Sequence, residues 1–113
     1  FSQTIKRFGW SCKFVDFDDI DAVKDAVDDD TRAIFGEAIA NPGGYIMDVR
    51  AIADVADDAG VPLIIDNTTA TPYLCRPIEL GATLVVHSTT KYLTGNGTVT
   101  GGCTENRGLA RER

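Results

Sequence analysis

The sequence predicts an α/β fold: a mostly parallel sheet with flanking helices. Three observations predict it. Short apolar or β-branched runs alternate with amphipathic stretches, as in strand–helix–strand units. The later runs, Val61-Pro-Leu-Ile-Ile65 and Ala82-Thr-Leu-Val-Val-His87, are apolar throughout, as expected of strands covered on both faces. Turn signals such as Asn41-Pro42-Gly43-Gly44 and Gly60 punctuate the alternation.

Each element has its own local reason. Phe1 to Phe8 reads as the last turns of a helix, with Gly9 as its stop. Cys12 to Phe17 is rich in aromatic and β-branched residues and reads as a strand. Asp18 and Asp19 can cap the next segment. There Ile20, Val23, Ala26 and Val27 recur on one helical face. Thr31 to Glu37 is the next strand, followed by the Asn-Pro-Gly-Gly turn. Asp48 opens a second helix, with Val49, Ile52, Ala53 and Ala56 inward and Gly60 ending it. Pro72 to Gly81 reads as a loop with one helical turn near Pro77. Beyond Lys91, Gly95, Gly97, Gly101 and Gly102 surround a short strand at Thr98-Val-Thr100.

Composition removes several function classes. The chain has 113 residues, 11 Lys plus Arg and 17 Asp plus Glu, for a net charge of −6. Phosphate backbones are bound by clustered Lys and Arg, so nucleic acid is not an expected partner. Asp16 to Asp30 holds eight aspartates and one lysine, read as a solvated surface. No apolar run approaches the roughly 20 residues that span a bilayer, and no secretory signal is visible, which places the chain in the cytoplasm with no membrane partner. Cys12, Cys75 and Cys103 are odd in number and far apart, so three reduced thiols are expected rather than disulfides. With His87 as the single histidine, no metal site is expected.

In parallel sheets, ligands sit beyond the carboxyl ends of the strands. That directs attention to Glu37–Asn41, Asp66–Thr68 and His87–Lys91. Asp66 ends an apolar strand; it either caps the next turn or meets a cationic ligand group. Ser88-Thr89-Thr90-Lys91 offers hydroxyls beside an amine, which suits a phosphate-bearing ligand, although taken alone the polar-loop reading is favoured. His87 alternates with its neighbours and is read as structural. Neither a dinucleotide glycine fingerprint nor a Walker loop is present. Together the groups match what pyridoxal phosphate (PLP) needs. An amine takes its aldehyde, hydroxyls take its phosphate, and an anion keeps its ring nitrogen protonated, so that the ring can act as an electron sink.

The blocks Glu37-Ala-Ile-Ala-Asn41-Pro42-Gly43-Gly44, Pro62 to Tyr73 with its Asp66-Asn67-Thr68, and Gly81 to Gly97 with Ser88-Thr-Thr90-Lys91-Tyr92 carry a resemblance. The chain resembles the cysteine/methionine-metabolism family of PLP-dependent enzymes, most of all its O-acetylhomoserine sulfhydrylases. The resemblance implies the large PLP-binding domain of the aspartate-aminotransferase type. It places residues 1–103 in part of that catalytic domain and leaves 104–113 as a basic tail. Lys91 is implied as the catalytic, Schiff-base lysine. Asp66 is implied as partner of the ring nitrogen, and Ser88 and Thr90 as phosphate-binding hydroxyls. Asn41 is placed near the cofactor's phenolic oxygen and the substrate carboxylate, and Thr68 near the ring.

The implied activity is a transferase reaction, γ-replacement on O-acetylhomoserine by sulfide, giving homocysteine and acetate. The implied partners are an amino-acid substrate and further copies of the chain in a homotetramer. Methionine or cystathionine γ-lyase and cystathionine γ-synthase share the same motifs. An interaction domain with an inherited, inactive site is the reading from another class. The upstream glycine loop, the tyrosine that stacks on the ring and the carboxylate-binding arginine of the family have no match here. The 113 residues are therefore expected to be a central piece of a catalytic domain, inactive alone.

Overall fold

The computed structural model describes residues 3–108. Four strands form one sheet in the order β1 (Ile34–Glu37), β2 (Leu63–Asp66), β3 (Leu84–Ser88), β4 (Gly102–Asn106). The first three are parallel; β4 runs antiparallel to β3. The register pairs Glu37 with Asp66 and Asp66 with Val86, so the carboxyl ends of three strands come together along one edge of the sheet.

Two helices follow from their caps and their apolar faces. Helix α1 (Ile20–Ala26) starts where the Asp19 carboxylate accepts the Ala22 N–H at 3.0 Å. Helix α2 (Val49–Asp58) starts in the same way, with Asp48 accepting from Ala51 N at 3.1 Å. It ends just before Gly60, whose φ of 66° is a conformation that costs glycine little. Val49, Ile52, Ala53 and Ala56 of α2 pack with Ile34, Leu63, Ile65 and Val85 of the sheet in the core, Ile52, Leu63 and Ile65 being fully buried. The opposite face carries Phe35, Ile64, Leu84 and Val86, of which Phe35 is exposed and the others half-buried.

The expected loop at Pro72–Gly81 contains two short turns, α3 (Thr71–Leu74) and a 3-10 turn at Pro77–Leu80. The helix end expected before Gly9 is a 3-10 turn, Ile5–Phe8, which Gly9 does stop at φ 76°; Phe1 and Ser2 lie outside the described residues.

Two strand expectations are corrected. Cys12–Phe17 forms no strand and pairs with no strand among the described residues. Val15 and Phe17 still pack on the core, while Phe14 is exposed. What it lacks is a neighbouring strand, and Lys13 instead donates to the Ala26 carbonyl and the Asp28 carboxylate. The final strand is Gly102–Asn106, not Thr98–Thr100. Asn96 accepts from both the backbone and the hydroxyl of Thr98, which holds 96–98 in a turn. The ladder begins at Gly102, where a Cβ would lie 3.2 Å from the His87 carbonyl. Thr104, Glu105 and Asn106, read as the start of a tail, thus form the edge of the sheet; Arg111 and Arg113 lie outside the described residues.

Candidate active site

Period-two alternation decides which side chains meet at the strand ends. Leu63 and Ile65 face α2, so Asp66 falls on the other side; Val85 and His87 face α2, so Ser88 joins Asp66. His87 is buried, as its structural reading required. Asn67 is buried too, and its side-chain amide donates to the Cys75 carbonyl at 2.9 Å. Burial pushes the Cys75 thiol above its ordinary pKa.

Thr68 joins the two strand ends. Its backbone N–H donates to Asp66 Oδ1 at 2.9 Å, and its hydroxyl oxygen accepts the Ser88 N–H at 2.8 Å. The ladder itself runs one residue further than the strand, with Asn67 N–H donating to the Val86 carbonyl at 2.9 Å. One oxygen of Asp66 is therefore fixed by the turn that Asx residues favour, and the other points to no described partner. The two readings of Asp66 from sequence are compatible: it closes the turn and keeps an oxygen for a ligand.

Past β3 the chain turns through Thr89–Leu93, and the helical pattern breaks at Lys91 (φ −93°, ψ −116°). Lys91 is exposed and makes no ion pair among the described residues. Thr90 is tied down: its hydroxyl accepts the Gly101 N–H at 2.9 Å and donates to the Gly101 carbonyl at 3.2 Å. A hydroxyl has one proton to give, so a phosphate oxygen must displace that second, longer bond. Ser88 has no such competitor among the described residues.

Asn41 stands at the end of β1, in a small hairpin closed by the Ile39–Ile46 bridge and by Ala40 N–H to the Tyr45 carbonyl at 2.9 Å. Its backbone N–H donates to Glu37 Oε2 at 2.7 Å. The strand ends thus bring Asp66, Thr68 and Ser88 into one hydrogen-bonded unit. Asn41 borders it through β1, and Thr90 and Lys91 follow directly on β3. Sequence reasoning missed two participants. Glu37 was legible only as a strand end four residues before Asn41, and nothing in the sequence marks Gly101 as the partner of Thr90 eleven residues away.

The donor set fits PLP. An unengaged carboxylate oxygen on Asp66 suits the ring nitrogen, the Ser88 hydroxyl suits the phosphate, and the Lys91 amine suits the aldehyde. The family model for Cys/Met metabolism PLP-dependent enzymes matches residues 1–112. The chain belongs to that family. Relatives within this PLP-dependent family include an O-acetyl-L-homoserine sulfhydrylase of Corynebacterium glutamicum, 50% identical over 103 residues, or 90% of this chain and 24% of the relative. An L-methionine gamma-lyase of Pseudomonas putida is 46% identical over 98 residues, or 87% of this chain and 25% of the relative. A Campylobacter jejuni structure assigned as an O-acetylhomoserine (thiol)-lyase superposes with a TM-score of 0.92 at 39% identity, covering 96% of this chain and 26% of that one. That structure carries a lysine joined to the pyridoxyl phosphate group. The chain spans about a quarter of the length of the relatives it matches.

Among the described residues no helix is long and apolar enough to cross a membrane. They also contain no cluster of His, Cys, Asp and Glu arranged to hold a metal ion.

Proposed function

We propose that this chain is the central part of the PLP-binding domain of an O-acetylhomoserine sulfhydrylase, the domain continuing past residue 103 through β4. The observation that carries this reading is the unit Asp66–Thr68–Ser88, with Lys91 three residues beyond, at the carboxyl ends of adjacent parallel strands. The 50% identity to a sulfhydrylase favours replacement chemistry.

When bound, PLP supplies an electron sink for the carbanion left beside the substrate nitrogen. The residues of this chain do the rest. Asp66, oriented by the Thr68 N–H, would accept a hydrogen bond from the protonated ring nitrogen and so keep it charged. Ser88 and Thr90 donate to the phosphate, and Asn41 orients the phenolic oxygen and the substrate carboxylate. Lys91 would hold the cofactor through its amine, and its Nζ would take the proton from the substrate's α-carbon. A second proton is lost from the β-carbon, the γ-carbon–oxygen bond breaks and acetate leaves. A carbon–sulfur bond to sulfide forms in its place, and protons return to the β- and α-carbons, giving homocysteine. The enzyme is a transferase of the cytoplasm working as a homotetramer, in keeping with the family resemblance.

A second reading has a specific observation behind it, the 46% identity to a methionine gamma-lyase. One assay separates the two. The full-length protein is given O-acetylhomoserine with sulfide, and separately methionine. Homocysteine from the first is the expected result; 2-oxobutyrate from the second without homocysteine from the first supports the lyase. Turnover of neither substrate, with no bound PLP, supports an inactive interaction domain.

A further inference from the structure

Glu37 ends β1 and has no role in the chemistry above. Three observations give it one. Its carboxylate accepts the Asn41 N–H at 2.7 Å, the short distance typical of a charge-assisted bond. That N–H sits inside a tight hairpin. Ala40 N–H, Gly44 N–H and Met47 N–H are satisfied by the carbonyls of Tyr45, Ala40 and Ala38, while the Asn41 N–H is satisfied by the Glu37 side chain. The hairpin's base is held by the sheet itself, since the Ala38 N–H donates to the Asp66 carbonyl at 3.0 Å. One continuous set of bonds therefore runs from Asp66 through Ala38 and Glu37 to Asn41.

We infer that Glu37 is a positioning residue: its carboxylate fixes the Asn41 turn relative to Asp66, so that Asn41 meets the cofactor edge and substrate carboxylate in one geometry. This rests on the PLP reading above. A rival role follows from the register of the sheet. Glu37 is the register partner of Asp66 and shares its face of the sheet, so its negative charge could instead act on the ring nitrogen.

Two substitutions separate reach from charge. Glu37→Gln keeps an oxygen at the same distance and removes the charge. Glu37→Asp keeps the charge and shortens the side chain by one methylene, which takes the oxygen away from the Asn41 N–H. Both are made in the full-length protein. Amide hydrogen exchange of the 38–46 segment is followed without PLP, and PLP affinity is titrated by the cofactor's visible absorbance. The expected result is that E37D raises exchange at Asn41 and weakens PLP binding by about tenfold or more, as for loss of a hydrogen bond to a charged group. E37Q keeps the bond without its charge assistance and is impaired in both, but clearly less than E37D.

The opposite order, with E37Q impaired and E37D near the parent, overturns positioning in favour of charge. Raised exchange in E37D with unchanged PLP affinity overturns the link to the cofactor. Failure of the unsubstituted protein to bind PLP overturns the PLP reading itself, and the role of Glu37 with it. The exchange measurement reports on the turn independently of that failure.

Discussion

The two faces of the sheet come from equally apolar strands and do different work. On one, Ile34, Leu63, Ile65 and Val85 are buried beneath Ile52, Ala53 and Ala56 of α2. On the other, Phe35, Ile64, Leu84 and Val86 remain partly open, and Glu37, Asp66 and Ser88 stand at their carboxyl ends. The polar groups at the end of the buried face, Asn67 and His87, are enclosed, while Glu37, Asp66 and Ser88 at the end of the open face are only half-buried and within reach of a ligand. A one-residue step along a strand thus separates a core residue from one that the PLP reading assigns to the site. Stability and chemistry should therefore be separable by substitution.

The largest separation is expected for Lys91→Ala in the full-length protein. Turnover should fall by about 10²–10⁴-fold or more, the range for loss of a proton-transferring group. Because Lys91 is exposed, the thermal midpoint of the apo-protein should stay unchanged. Unchanged turnover would break the comparison at its active end.

Ile52→Ala is the converse. Ile52 is 0% exposed beneath the sheet, and truncating it should cost about 2–5 kcal/mol in a denaturant titration. PLP affinity of the protein that remains folded should be nearly that of the parent. A large loss of affinity without loss of stability would show that the two faces are not independent.

Asp66→Ala should weaken PLP binding by roughly 1.5–3 kcal/mol, a factor of about ten to a hundred, because an ion-paired hydrogen bond is lost. Thr68→Val is expected to be milder. It leaves the Ser88 N–H without its acceptor, at about 1–3 kcal/mol shared between stability and affinity, and Thr68→Ser should restore most of it. If Thr68→Ser were as impaired as Thr68→Val, the hydroxyl would not be the joining group.

The smallest effect lies far from either face. The Lys13 ammonium, 2.6 Å from Asp28, holds that carboxyl below its ordinary value of 3.8. A carboxyl depressed in the folded state stabilises it above the unfolded pKa, and loses that contribution as pH falls through the folded value. Both side chains are about half exposed, so screening leaves the contribution small. Asp28→Asn should lower stability slightly at neutral pH, remove the small further loss that the parent shows below about pH 4, and leave the two proteins alike in acid; an unchanged acid-dependent loss in the variant would mean that Asp28 is not its source.

Much of this organisation was legible in the residues. Asp19, Asp48 and Gly60 mark helix ends because caps are local chemistry, and Ile52 and Ala56 point to the core because a helix repeats every 3.6 residues. Asp66, Ser88 and Lys91 were found because strand ends in parallel sheets face ligands, and the motif resemblance assigned their roles. Non-local pairing was not legible. Cys12–Phe17 has strand composition but no neighbouring strand among the described residues, and β4 begins at Gly102, where the backbone closely approaches the His87 carbonyl. Neither fact is written in a window of ten residues. The same holds for Thr90, whose hydroxyl was expected to be available and is shared with Gly101.

The most direct measurement is chemical mapping of the cofactor lysine. The full-length protein is incubated with PLP, reduced with borohydride and digested, and the pyridoxylated peptide is sequenced by mass spectrometry. The expected label is on Lys91. A label on Lys6, Lys13, Lys24 or a lysine outside this chain, or no label at all, would contradict the assignment of the open-face strand ends as the PLP site.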